Sequence, residues 1–179
     1  MTGGVGYAGV AAIMILTMTS ANLATDPVDN ALLVTIDGLP AFEGPGGVMT
    51  SIRIVAQRDV DTIAPVVGTL DIYVTVDGSV TTKALLAQAV VDAVTATKAA
   101  FYPGIPFTLT RVGDAVVFTW DYAAAFPNKL QGITDTDWST NEADPFFSGG
   151  FDAQALLPAR RGPPYAWLPV IFVEPDPRD

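Results

Sequence analysis

A chain of 179 residues, half of them apolar, has the length of one ordinary domain with room for appended arms. It carries nineteen carboxylates against nine basic side chains, a formal charge of -10, and neither histidine nor cysteine. Those absences exclude the usual general base, the usual metal ligands and a thiol nucleophile. Nine scattered Lys and Arg residues also cannot supply the clustered charge that specific nucleic-acid binding requires.

The first charge of either sign is Asp26, and no basic residue precedes Arg53. The apolar stretch from Tyr7 to Leu16 is shorter than the ~20 residues of a membrane span. It also lacks the basic start of a secretory signal, so membrane insertion is not expected. Residues 1–30 are expected to form an apolar N-terminal arm or first element. Such an element packs either into the chain's own core or against a neighbouring subunit, because a free apolar terminus frays or aggregates. Ile13, Ile15 and Leu16 are its candidate inter-subunit contacts.

A core domain is expected over residues 31–122. Ala31 to Ile36 is a short β-prone run that stops at the turn pair Asp37 and Gly38. Leu39 to Gly47, with two prolines and three glycines, is expected to be a loop. Val48 to Ala56 alternates loosely, as a half-exposed strand does. Leu70, Ile72, Val74 and Val76 share one face of a strand whose other face carries Asp71, Tyr73 and Thr75. Thr81 or Thr82 then offers a hydroxyl to cap a helix over residues 82–99. In it, Leu85, Leu86, Ala89, Val90, Ala93, Val94 and Thr97 recur at the helical period as one stripe. The Pro103 to Pro106 stretch ends that helix. A hairpin follows over residues 107–121, with Gly113 at the first central position of the turn, as a type II′ geometry asks. The expected unit is strand, helix, hairpin, with the helix stripe laid over the apolar sheet face.

From Tyr122 the periodicity degrades, and residues 123–179 are expected to be an irregular, aromatic and proline-rich C-terminal extension. Phe126, Trp138, Phe146, Phe147 and Phe151 sit among Gly, Pro, Asp and Asn. Leu168 to Val173 suits a short strand that Pro169 confines to an edge. Roughly fifty residues without regular structure far exceed an ordinary connection of ~4–6, so they must gain order from what they wrap, in part another subunit. Trp138 and Trp167 suit either a partner's pocket or the chain's own core. Arg160 and Arg161, the one local concentration of positive charge, either dock onto a neighbour's acidic loops or stay solvated. With Tyr165 and Phe172, these complete the candidate inter-subunit contacts. The fold class expected is α+β: a β-rich sandwich or sheet, one main flanking helix, a hairpin and extended arms at both ends.

Catalytic and metal motifs fail on inspection. Asp135, Asp137, Ser139 and Asn141 space oxygen ligands as a calcium loop does. The sixth position, however, is Thr140 instead of Gly, and the twelfth is Phe146 instead of Glu. A solvated acidic loop, or a looser oxygen site, remains. Gly44 to Ser51 is glycine-rich but has no lysine before its hydroxyls. No Gly-x-Ser-x-Gly elbow occurs, and nothing singles out an acid/base pair among nineteen carboxylates. Neither enzymatic activity, nor a cofactor, nor a metal is expected.

The stretches Thr82 to Val94 and Phe107 to Thr119, within residues 71–121, resemble a module of tailed-bacteriophage virion proteins, notably tail sheath and other tail-associated subunits. The resemblance implies a β-rich domain with one flanking helix, assembled in rings or lattices and stabilised by extended arms, with no catalytic residues. The chain departs from sheath proteins in being too short for their multi-domain build. A virion structural protein is therefore expected, a tail or neck component whose partners are copies of itself and other virion proteins. A conduit for DNA gains from an acidic, phosphate-repelling surface. A head decoration protein that cements capsomers and a receptor- or glycan-binding module are the alternatives.

Overall fold

The computed structural model describes residues 8–19, 30–57, 64–100, 104–130, 132–133 and 147–152. In chain order these form β1 (Ile13–Thr17), β2 (Asn30–Ile36), β3 (Phe42–Gly44), β4 (Gly47–Met49), β5 (Ser51–Gln57) and β6 (Thr69–Thr75). Then come α1 (Lys83–Ala100), β7 (Phe107–Val112), β8 (Ala115–Trp120), a 3-10 turn (Phe126–Lys129) and β9 (Gly132–Ile133). The fold is α+β and β-rich, as expected from the sequence.

Two sheets and a small hairpin carry the strands. One sheet has the order β1-β8-β7, all antiparallel. The other has the order β6-β5-β2-β9, in which β5 and β6 run parallel. Among the described residues, strand β3 pairs only with β4. The expected unit of strand, helix and hairpin therefore divides: β6 and the β7–β8 hairpin belong to different sheets. Helix α1 packs against β6 of one and against β7 and β8 of the other, and a single core joins them.

The helix begins where a cap is available, because the Thr82 hydroxyl accepts the Leu85 N–H at 3.2 Å. Its buried side chains are Leu86, Ala87, Val90 and Val94. Leu85, expected on the stripe, is 45% exposed instead. A helix lodged between two sheets turns its small Ala87 into the core and rotates Leu85 outward. Just before the cap, Asp77 accepts the Ser79 N–H and hydroxyl, which hold its carboxyl below the ordinary range.

Two further expectations are corrected. Val48 to Ala56 is not one strand, since Thr50 lies between β4 and β5. Its N–H goes to the Gly68 carbonyl, and its own carbonyl accepts from Leu39. The expected loop over 39–47 contains β3 and part of the β3–β4 hairpin, whose Gly47 takes a φ of 109°. Within the first thirty residues, Ala12 to Met18 takes the alternative of a first element packed in the chain's own core. It supplies β1, and Ala12, Met14, Leu16 and Met18 lie in the chain's own core. In β2 a bulge between Leu32 and Val34 lets the successive side chains Leu33 and Val34 both enter that core.

Part of the irregular extension is likewise held by its own chain. Phe147 is fully buried, and its N–H bonds the Leu130 carbonyl at 3.0 Å. Ser148 and Ile13 exchange two backbone bonds, as do Phe151 and Val10, so this segment runs antiparallel along β1. Asn128 clamps it by accepting the Gly150 N–H at 3.0 Å and donating to the Gly150 carbonyl at 2.7 Å. Only glycine fits at 150, because a Cβ there would lie 2.3 Å from the Ala124 carbonyl oxygen and 2.7 Å from the Ala12 Cβ. The possible strand over 168–173 and the acidic loop over 135–142 lie outside the described residues.

Gly150→Ala is expected to lower stability by about 2–3 kcal/mol, the range of an overpacked site that cannot relax. Urea unfolding followed by circular dichroism measures it as a lower midpoint at unchanged slope.

Candidate assembly surface

Register fixes what each face of the β1-β8-β7 sheet presents. Met14 and Leu16 of β1, Val116, Phe118 and Trp120 of β8, and Phe107 and Leu109 of β7 point inward and are buried. The opposite face reads across the strands as three rows. These are Ile13, Thr119 and Thr108; Ile15, Val117 and Thr110; and Thr17, Ala115 and Val112. None of these positions carries a charge, in a chain of formal charge -10. Ile13 is 40% exposed, Ile15 50% and Val112 64%.

One corner of this face meets charge, and there the charge is paired. The Thr108 hydroxyl donates to Asp121 Oδ1 at 2.6 Å, and the Lys98 ammonium reaches from the end of α1 to Asp121 Oδ2. Lys98 also donates to the Phe107 carbonyl at 2.8 Å.

The outer face of the second sheet carries a charged pair. Register sets Arg53 of β5 beside Asp71 of β6 and Thr35 of β2, with Ser51 beside Thr69 one step along. Arg53 grips Asp71 through Nε at 2.6 Å and Nη2 at 2.8 Å, and Nη2 also donates to the Ala64 carbonyl at 3.0 Å. The Asp71 hydrogen bonds raise the Arg53 pKa above its ordinary value, against the opposing pull of burial. The Ser51 hydroxyl donates to Asp37. Arg53 and Asp71 are paired and already largely covered, whereas the β-branched grid on the other sheet gains from being covered.

Two clefts accompany these faces. One, of about 530 Å³, lies between the β3–β4 hairpin and the chain entering β6, with Pro45, Met49, Pro65, Val66 and Tyr73 in its wall. Asp71, its one carboxylate among the described residues, is already bound by Arg53. The other, of about 370 Å³, runs between α1 and β7. Among the described residues no three His, Cys, Asp or Glu side chains converge, and no helix is long and apolar enough to cross a membrane.

Of the candidate contacts, Ile13 and Ile15 share the uncharged face. Leu16 does not: it has the opposite parity in β1, is fully buried, and is a core residue instead of a contact. Trp138, Arg160, Arg161, Tyr165, Trp167 and Phe172 lie outside the described residues. Sequence reasoning missed that Val117, Thr110 and Val112 complete the surface. The alternation of β7 and β8 separates those residues from the core side, but only the pairing of β1 with β8 sets them beside Ile13 and Ile15. No family model, no curated protein and no solved structure matches this chain.

The Arg53–Asp71 pair is only slightly exposed, at 14% and 11% of the two side chains. Asp71→Leu alone is expected to cost about 2–3 kcal/mol by stranding the guanidinium, and adding Arg53→Met should recover most of that loss. A double-mutant cycle in urea reads the coupling.

Proposed function

We propose that this chain is a structural subunit of a viral particle, a tail or neck component of a tailed bacteriophage, that self-assembles into a ring, tube or lattice. The observation that carries the reading is the uncharged outer face of the β1-β8-β7 sheet. Copies of a chain with formal charge -10 repel one another wherever their carboxylates approach. The Ile, Val and Thr grid is a surface on which a second copy meets no unpaired charge and covers apolar area. The occupant of that face is therefore another copy of the chain. The acidity of the remaining surface suits a conduit, because a wall of carboxylates does not hold the phosphates of DNA passing it.

Light scattering and negative-stain electron microscopy of the purified chain test this reading. Multimers of ring or tubular form are expected. Ile15→Asp with Val117→Asp should reduce them to monomers while far-ultraviolet circular dichroism stays unchanged. A wild-type chain that remains monomeric across the accessible concentration range overturns the proposal.

A further inference from the structure

Three strands about 4.8 Å apart and five residues long present an uncharged face of roughly 15 Å by 15 Å, on the order of 200–250 Å² in projection. A stable interface takes about 800 Å² from each partner. Self-assembly, on which this inference rests, therefore needs a second contact.

We infer that the edge of β7 pairs with β7 of a second copy, antiparallel about a two-fold axis at Thr110. The two edges of the β1-β8-β7 sheet differ. Residues 148–151 bond along β1 and close that side. On the other side, the Asp121 N–H bonds the Pro106 carbonyl, so 106 with 121, 108 with 119, 110 with 117 and 112 with 115 are the hydrogen-bonded pairs. The backbone groups of Phe107, Leu109 and Arg111 consequently point away from β8. Lys98 takes the Phe107 carbonyl. The N–H and C=O of Leu109 and Arg111 find no partner among the described residues, and these are the groups that strand addition uses.

Such an edge is complementary to itself. In an antiparallel pair, Leu109 of each copy exchanges both its bonds with Arg111 of the other. Two other two-fold registers would also set outward groups against outward groups, and charge opposes both. An axis at Leu109 brings Arg111 of one copy against Phe107 of the other, where the Lys98 ammonium already stands. An axis at Arg111 sets two guanidinium side chains directly opposite each other. The axis at Thr110 opposes two uncharged threonines and puts Thr108 beside Val112. It also carries the exposed Asp114 of the second copy, in the turn after β7, toward Lys98. The residues that meet on the outer face at this junction, Thr108, Thr110 and Val112, are exposed and uncharged. Pairing therefore joins two outer faces into one of roughly 30 Å by 15 Å, on the order of 450 Å². Edge and face are each too small to hold two copies alone, so loss of either releases monomers.

The chain has no cysteine, so a single introduced thiol reports without interference. Full-length Thr110→Cys is sized by light scattering, then oxidised and run on a non-reducing gel. Opposed residues of a non-hydrogen-bonded pair have Cα atoms about 4.5 Å apart, within reach of a disulfide. Expected is conversion of most of the monomer band to a dimer band that reverts on reduction. Val112→Cys, which the axis sets about 14 Å from its equivalent, should give no dimer band. Arg111→Pro removes an outward N–H and no bond to β8, so it should lose the multimers while far-ultraviolet circular dichroism stays unchanged. Arg111→Ala, which keeps that N–H, should retain them. Where proline disturbs the strand itself, Thr110→Cys decides alone. A Val112→Cys dimer as abundant as that of Thr110→Cys overturns the pairing about Thr110. Multimers that persist in a folded Arg111→Pro, or that form with no Thr110→Cys dimer, overturn the edge contact and leave self-assembly standing. A wild-type chain that stays monomeric, with no Thr110→Cys dimer, removes both.

Discussion

The position of β8 between β1 and β7 is the constraint on which the rest of the fold depends. Its inward residues Val116, Phe118 and Trp120 are each at most 1% exposed. Around them the rings interlock: Phe107 meets Phe118 edge-on at 5.5 Å, and Trp120 meets Phe147 at 5.4 Å and 84°. Each such contact contributes about 0.5–1.5 kcal/mol beyond its buried area. Phe147 links this cluster to the distal chain, since a ring fixed against Phe107, Phe118 and Trp120 fixes the path of 148–151 along β1. The bonds between Asn128 and Gly150 then hold that path against the 3-10 turn. Sheet, aromatic core and clasp therefore stand or fall together.

Helix α1 completes the arrangement by closing both sheets with small residues. Its buried stripe of Leu86, Ala87, Val90 and Val94 is narrow because two sheets approach it from different sides. Alanines at 84, 87, 89 and 93 permit that approach, and Ala89 and Ala93 pack against the core at partial burial. A bulkier helix would hold the sheets apart and open a void that Val90 and Val94 cannot fill. Farther along α1, Thr95 and Ala99 line the groove beside β7.

The parts of the fold legible in the sequence are those where polar and apolar residues separate cleanly. In β6, Leu70, Ile72 and Val74 alternate with Asp71 and Tyr73, and the structure buries the first set. In the hairpin, Phe107 and Leu109 alternate with Thr108 and Thr110, and Gly113 takes the positive φ of 61° that the turn needs. The division into two sheets was not legible, because it depends on Ile13 pairing with Thr119 across more than a hundred residues. No local pattern encodes such a contact. In the sequence Phe147 is one aromatic among several, and nothing in its neighbourhood distinguishes a ring that fills a core from one that rests on the surface. The apolar character of Ile13 and Ile15 was visible. Their separation from Leu16 was not, since all three residues are alike in kind.

That likeness carries its own physical content. A strand with one face in water normally alternates apolar with polar residues, and one covered on both faces is apolar throughout. The Ile-Met-Ile-Leu sequence of β1 belongs to the second type. Yet Met14 and Leu16 alone are buried by the chain, while Ile13 and Ile15 keep 40% and 50% of their surface. The transfer free energy of two isoleucines, about 1.5–3 kcal/mol each when complete, is thus only partly realised within one copy. Across β8 and β7 the outward positions are Val, Ala and Thr, β-branched or small residues that tolerate water and pack well when covered. Screening confines the repulsion between acidic copies to about 8 Å at physiological salt. A face with no charge of its own, and with its corner aspartate paired with Lys98, is then one where close approach costs little. Composition, register and electrostatics thus favour the same sheet face for the proposed contact between copies.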